Sequence, residues 1–189
     1  MNKGWIVEGH FRVTGQNPTT GESRTFVDRR NMIMYPATEI VALGLGGRSN
    51  TKISHLYLAY NNDGTLGNGG YTLTPDNTEF EKSSVTNFVR VPITFEPSIE
   101  YAEDGSWTSL TFNTLINQPD VFAIPGYASL SGGTSAFFEA SLVCQTSSLG
   151  SPSLLDFDRV FSRVAFDRLT YDPLFNLTIT WSIRLNHQS

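Results

Sequence analysis

The amino-acid sequence predicts an all-β protein. Charged residues make up only 16% of the 189 residues, and this low charge, together with frequent Thr, Ser, Asn and aromatic residues, favours strands over helices. Several segments alternate apolar and polar residues with a period of two, as in a strand with one buried and one solvated face. The longest alternation covers residues 175–185, where every odd-numbered residue is apolar. We therefore predict one domain over residues 1–189, an antiparallel β-sandwich with jelly-roll or Ig-like connectivity and one short helix.

Eight segments carry this alternation and are predicted as strands. A turn cluster at 17–21 makes the first two a hairpin, because Asn, Pro and Gly favour tight turns. Pro92 lies on the register opposite the apolar residues of the fourth strand, which predicts an edge strand or a bulge, since proline donates no ladder hydrogen bond. The inward row of the last strand, which includes Trp181, predicts a central strand of the core. The predicted strands cover residues 5–14, 24–28, 53–60, 88–95, 106–115, 136–142, 159–166 and 175–185.

A single helix is predicted from Pro36 to Leu43. Proline is favoured at the first helical position, where its missing N–H would have no partner in any case. The glycines at 44, 46 and 47 end the helix by supplying left-handed cap geometry. Its apolar residues Ile40, Val41 and Leu43 suit a short helix that covers one end of a sheet.

Composition argues against several functional classes. The net charge of −5 with scattered basic residues gives no footprint for nucleic acid, which needs a basic patch. No apolar run approaches the roughly 18 residues of a membrane span, and the first residues lack the apolar region of a signal peptide. The single cysteine, Cys144, lies in an apolar strand-like stretch, which predicts a buried thiol rather than a nucleophile or a disulfide partner.

Residues that could carry catalysis or bind a metal are sparse. His10, His55 and His187 are far apart, and none has metal-ligand spacing to another. Paired carboxylates such as Asp156 and Asp158 are typical of a solvated surface. No nucleophile, base and orienting group can be assembled with any specificity, so we predict no catalytic residue, no metal and no cofactor.

Interaction surfaces are predicted in two long segments and on one strand edge. Segments 61–77 and 118–133 are rich in polar residues, Gly and Pro, and long loops of this kind often carry contacts. An unpaired edge at 88–95 can accept a strand from a neighbouring chain. The predicted interface residues are Asn61, Asp63, Tyr71, Arg90, Trp107, Phe122 and Tyr127, with Trp107 expected to be exposed because it lies on the register opposite Leu110 and Phe112.

Three parts of the chain resemble motifs of a family of tailed-bacteriophage virion proteins. Residues 31–47 followed by 53–59 resemble that family's short helix leading to an "I-x-H-I-A-L-G" strand. Residues 138–142 are similar to its "E-x-G-L-F" element, with Ser141 where glycine is typical. Residues 160–166 and 175–183 resemble its closing strand pair, "L-F-A-R-V-x-F" and "L-T-I-T-W-T-I".

The resemblance implies a non-enzymatic building block of the virion that is assembled in the host cytoplasm. It implies a homo-oligomer, related to a trimer or hexamer, that docks on other phage structural proteins in the tail, baseplate or tail-fibre region. A capsid decoration (cement) protein is the nearest alternative. A second alternative is a carbohydrate-binding module for host-surface glycans, for which Trp107 with Tyr101 or Tyr127 would form the aromatic platform.

Overall fold

The computed structural model describes residues 5–47, 52–61, 88–93, 96–116, 136–145, 158–170, 172 and 174–187. Within these ranges the chain forms nine strands and one helix, which confirms the all-β class. The elements are β1 (Trp5–Gln16), β2 (Ser23–Ile33), α1 (Pro36–Leu45), β3 (Lys52–Asn61), β4 (Phe88–Pro92), β5 (Ser98–Tyr101), β6 (Trp107–Ile116), β7 (Ala136–Gln145), β8 (Asp158–Thr170) and β9 (Asn176–His187). All eight predicted strands are present. The strand that the sequence reasoning missed is β5, which is four residues long and exposed throughout.

The nine strands join one antiparallel sheet in the order β4-β3-β7-β8-β2-β1-β9-β6-β5. Strand β2 belongs to both halves of this sheet, because its residues 23–31 pair with β1 while Met32 and Ile33 pair with β8. The predicted edge position of β4 is confirmed within the described strands, since β4 lies at one end of the order. Pro92 needs no ladder partner on the open side of such a strand.

The sheet is strongly curled. Strands β4 and β5 occupy opposite ends of the order, yet only residues 93–97 separate them along the chain. Consecutive Cα atoms are about 3.8 Å apart, so Ile93 and Glu96 lie within about 11 Å of each other and the two ends of the sheet must approach. The result is a half-barrel. It establishes the all-β class but not the two separate sheets of the predicted sandwich.

A single main core lies between the two halves of the curled sheet. Phe11 of β1 stacks on Phe166 of β8 with ring centroids 5.5 Å apart, and Trp181 of β9 meets Phe11 edge-to-face at 4.9 Å. Trp181 is 1% exposed, which confirms the predicted central position of β9. The buried apolar residues at and along β9 are Phe175, Leu177, Ile179, Trp181 and Ile183, whereas Leu185 at the end of the row is half-buried.

A chain of hydrogen bonds crosses this core and joins four strands. Trp181 Nε1 donates to Ser162 Oγ at 3.1 Å. With the Asn31 amide oriented to satisfy its neighbours, Ser162 Oγ donates to Asn31 Oδ1 at 3.0 Å, Trp181 Nε1 donates to the same oxygen, and Asn31 Nδ2 donates to the Gly9 carbonyl at 3.0 Å. The polar atoms therefore satisfy one another, which a buried polar group requires if it is not to cost stability.

The two halves of the sheet differ in how they meet solvent. The outer faces of β1, β6 and β9 are polar and partly exposed, with Thr111 bonded to Ser182 at 3.1 Å and Thr180 donating to Asn113 at 2.9 Å. Strand β7, by contrast, is buried on both faces, and its outward-facing Val143 belongs to a second apolar cluster. This second cluster consists of Met34, Tyr57, Val143 and Val160.

Helix α1 covers part of the core next to β8. Ala37 and Ile40 are buried, while Val41 is 50% exposed, so the prediction that Val41 packs against the sheet is wrong. A helix turns 100° per residue, and Val41 follows Ile40 onto the solvent side. The helix runs two residues beyond the prediction, and only Gly47, with φ +73°, has the expected left-handed conformation. In the described ranges there is no helix long and apolar enough to cross a bilayer.

Gly9 should be intolerant of a side chain. A Cβ atom at this position would overlap the side-chain amide of Asn31, which lies directly opposite in the β1–β2 ladder. We expect Gly9→Ala to lower the free energy of unfolding by about 1–3 kcal/mol, measured by urea titration. Gly44→Ala is the matched control: it lies in α1 with open space around it and should stabilise by about 0.5–1 kcal/mol. Equal effects of the two substitutions would contradict this placement.

Trp181 should contribute through both its volume and its N–H group. Trp181→Ala is expected to cost about 3–5 kcal/mol by leaving a cavity. Trp181→Phe keeps most of the ring but removes the donor to Ser162, and should cost about 1–3 kcal/mol. A double-mutant cycle with Ser162→Ala measures the coupling between the indole N–H and the Ser162 hydroxyl within this hydrogen-bond chain, and additive effects in that cycle would show that the two groups are not coupled.

Candidate interaction surface

Strand β5 presents large apolar side chains to solvent. Ile99 is 62% exposed and Tyr101 is 73% exposed. Residues directly opposite in antiparallel strands share a face, and Ile99 lies opposite Leu110, which in turn lies opposite the buried Ile183. Ile99 and Tyr101 therefore lie on the face of the sheet that carries the main core, and they continue that apolar face to the exposed edge strand. We name the resulting surface the β5 patch, which comprises Val7, Ile99, Tyr101, Leu110 and Leu185.

The backbone of β5 also faces outward at these two residues. The amide of Ala102 donates to the Trp107 carbonyl at 3.0 Å, which makes this a hydrogen-bonded pair of the β5–β6 ladder. Because such pairs alternate along an antiparallel ladder, Glu100 points its N–H and C=O toward β6, whereas Ile99 and Tyr101 point theirs away from it. Among the described strands none pairs with that side of β5. Ile99 and Tyr101 thus combine exposed side chains with outward backbone donors and acceptors.

Acidic residues surround this edge. The exposed residues of β5 and its flanks include Glu96, Glu100, Glu103 and Asp104. Hydrogen bonds from the Ser106 side chain and backbone hold the pKa of Asp104 below its usual range, so this carboxyl stays ionised at neutral pH. The edge is therefore negatively charged around an apolar centre.

Trp107 lies near this edge but on the other face of the sheet. The Arg184 guanidinium carbon is 4.3 Å from the centroid of its ring, a cation–π contact, and the indole is half-buried rather than fully exposed. Tyr101 lies opposite Thr108, and successive strand residues point to opposite faces. Trp107 and Tyr101 therefore do not form a shared aromatic platform, and Tyr127 lies outside the described residues.

Two of the other predicted interface residues lie on strands that do not pair with β5. Asn61 ends β3 opposite Ala136, and Arg90 lies in β4 opposite Tyr57, so both belong to strands at the other end of the sheet order. The remaining predictions, Asp63, Tyr71, Phe122 and Tyr127, fall outside the described residues. Sequence reasoning missed Ile99, and it named Tyr101 only as part of an aromatic platform with Trp107. Residues 98–101 alternate polar and apolar side chains, and this alternation could have predicted the strand. It is a weak indication, because the segment is only four residues long and follows a proline.

The titratable groups in the described ranges form no metal site, since no three His, Cys, Asp or Glu residues cluster there. His10 and Arg12 both pair with Asp28, each at 2.7 Å, on the outer face of the sheet. The hydrogen bond from Arg12, together with the nearby charges, lowers the pKa of Asp28. Cys144 is fully buried in the main core, which confirms the predicted buried thiol.

A buried ion pair joins β7 and β8. Arg163 Nε donates to Glu139 Oε1 at 2.7 Å, a second Arg163 nitrogen contacts the same oxygen, and both side chains are 3% exposed. Burial raises the pKa of the Glu139 carboxyl, and the charge and hydrogen bond of Arg163 oppose that rise. Neighbouring Ser141 Oγ is buried without a hydrogen-bond partner. Such a closely paired, enclosed arrangement is typical of a structural contact rather than of a reactive centre.

No protein-family model matches the chain, and comparisons with curated proteins and with solved structures gave no significant match. Functional inference therefore rests on the geometry of the chain itself. Among the described residues, the β5 patch with its outward backbone and acidic surround is the surface best suited to binding another macromolecule.

The ion pair should make stability depend on pH in a specific direction. A carboxyl whose pKa is raised on folding contributes stability that is present below its ordinary pKa of 4.5 and lost as pH rises through the folded-state value. Arg163→Met removes the opposing cation, so the Glu139 pKa rises further. This variant should lose about 3–5 kcal/mol at neutral pH and recover part of it near pH 4.

Urea titrations across this pH range measure the effect. The Glu139→Gln/Arg163→Met double variant is the control, because it removes both charges of the pair, and its stability should change less steeply with pH than that of Arg163→Met. If Arg163→Met and the parent protein show the same slope, Arg163 does not oppose the rise in the Glu139 pKa.

Proposed function

We propose that this protein is a non-enzymatic structural component of a tailed-bacteriophage virion. In this proposal it self-associates, with trimer- or hexamer-related symmetry, and docks on other virion proteins in the tail, baseplate or fibre region after assembly in the host cytoplasm. The observation that carries the proposal is the β5 patch, an exposed apolar surface on an open strand edge. A rigid subunit with such an edge is suited to assembly contacts.

The resemblance to phage virion proteins supports the same reading. Its motif residues have structural roles in this chain: Glu139 and Arg163, from two different motifs, form the buried ion pair, and Trp181, from the same closing strand pair as Arg163, fills the main core. Such residues stabilise the subunit and leave its surface free to vary with the partner. We also propose that the curled sheet acts as a sandwich-like body, with its two halves facing each other across the main core.

In this proposal the docking contacts are made by exposed side chains of the β5 patch. Substituting those side chains should therefore weaken docking without unfolding the subunit. The Ile99→Ser/Tyr101→Ser double variant should fold normally, because both side chains are more than half exposed. We expect its incorporation into phage particles to fall about tenfold, as quantitative mass spectrometry of purified particles would measure. Leu45→Ser is the matched control, since Leu45 is an 85% exposed apolar residue of α1 and should leave incorporation unchanged.

Labelling of intact particles tests the proposal itself. Antibodies against the protein, detected by immunogold electron microscopy, should decorate the tail region of the phage that encodes it. Label on the capsid instead would favour the decoration-protein alternative. Absence of the protein from purified particles would reject both virion assignments.

A further inference from the structure

We infer that the β5 edge binds an extended segment of a neighbouring virion protein in which apolar residues alternate with Lys or Arg. The segment would add to the sheet as a further strand beside β5. This inference rests on the proposed function and specifies the partner chemistry of its docking surface.

The first argument comes from the backbone. Ile99 and Tyr101 each direct one N–H and one C=O to the open side of β5, as the hydrogen bond between Ala102 and Trp107 requires. An incoming strand would satisfy these four groups, with which none of the described strands pairs. Main-chain pairing of this kind supplies affinity in strand addition, while side-chain contacts supply specificity.

The second argument comes from the two faces of β5. On the inner face, Ile99 and Tyr101 offer apolar contacts, and Leu110 continues that surface on β6. On the outer face, Glu100 is exposed. Side chains of an added strand alternate between the same two faces, so its residues would be apolar on one side and face a carboxylate on the other.

The third argument is charge complementarity. The carboxylates on and beside β5 create a local negative field, and the described cation nearest along the ladder, Arg184, lies two strands away with its guanidinium over the Trp107 ring. Basic residues in the incoming strand would be attracted to these carboxylates, and opposite charges on paired strands stabilise the pair. The surrounding carboxylates are Glu96, Glu100, Glu103 and Asp104.

The same charges argue against a second copy of β5 as the occupant. Two β5 strands paired with each other would bring their acidic residues together, and like charges on paired strands are destabilising. We therefore assign the edge to a different segment with basic residues. Self-association through β5 becomes an outcome that the experiment can detect.

Two synthetic peptides test the inference on the full chain. One is a short capped peptide of alternating Val and Lys, and the matched control replaces every Lys with Glu. We expect the Lys peptide to bind at least about tenfold more tightly by fluorescence anisotropy, and added salt to weaken it. Amide hydrogen exchange at Ile99 and Tyr101 should slow when the Lys peptide binds, which a purely electrostatic contact elsewhere would not produce.

Two variants locate the binding. Glu100→Lys should lower affinity for the Lys peptide about tenfold and raise it for the Glu peptide. Tyr101→Pro removes an outward N–H without removing a bond to β6, so it should weaken both peptides while circular dichroism shows an unchanged fold. Glu100→Gln, which removes the charge without reversing it, should give an intermediate affinity. Equal binding of the two peptides, or unchanged exchange at Ile99 and Tyr101, would overturn the inference.

The outcomes separate this inference from the proposed function. If the protein is present in particles but the Lys peptide fails to bind β5, the virion proposal stands and the partner chemistry is wrong. If the peptide binds as expected but purified particles lack the protein, the edge is a basic-strand acceptor and the virion proposal fails. If sedimentation shows dimers that Tyr101→Pro dissociates, β5 pairs with a second copy and the inference is overturned.

Discussion

The structure depends on the contact that holds the two halves of the curled sheet together. Trp181 fills the space between β9 and β8, and its N–H begins the hydrogen-bond chain through Ser162 and Asn31 to Gly9. Packing alone would allow neighbouring apolar surfaces to slide, whereas directional bonds between fixed polar groups specify one register. The curl of the sheet, and therefore the position of both its edges, follows from this arrangement.

Charge is distributed differently inside and outside the molecule. The buried pair of Glu139 and Arg163 neutralises itself within the β7–β8 region, where an unpaired charge would be costly. The carboxylates near β5 are exposed to solvent. The interior charges thus face each other between two paired strands, whereas the charges near β5 face solvent.

The sequence predicts the fold better than it predicts the surface. The alternation in β9 identifies a central strand because successive side chains of a strand point to opposite faces, so a strand with one buried face has an apolar residue at every second position. Strand order is different, since it depends on contacts between distant residues, and nothing local shows that β5 would lie at a sheet edge. The pairing of Glu139 with Arg163 is invisible for the same reason. The sequence correctly predicts that Trp107 lies on the face opposite Leu110 and Phe112. It does not predict that the Arg184 side chain covers the Trp107 ring, because Arg184 lies on a neighbouring strand.

The seam between β2 and β8 has a consequence for how the molecule opens. In the described residues the ladder across it consists of Met32 and Ile33, with one further backbone bond from the Met34 N–H to the Phe161 carbonyl at 3.0 Å, whereas β1 and β9 share a ladder over their full length. Backbone hydrogen bonding is therefore thinnest where the two halves meet, and side-chain packing carries most of their cohesion. Local opening should begin at that seam, so each half of the sheet would act as its own cooperative unit in partial unfolding. A partner bound at β5 would then contact only one of these units. Mechanical force applied through that partner would separate the two units at the β2–β8 junction before it unfolded either of them.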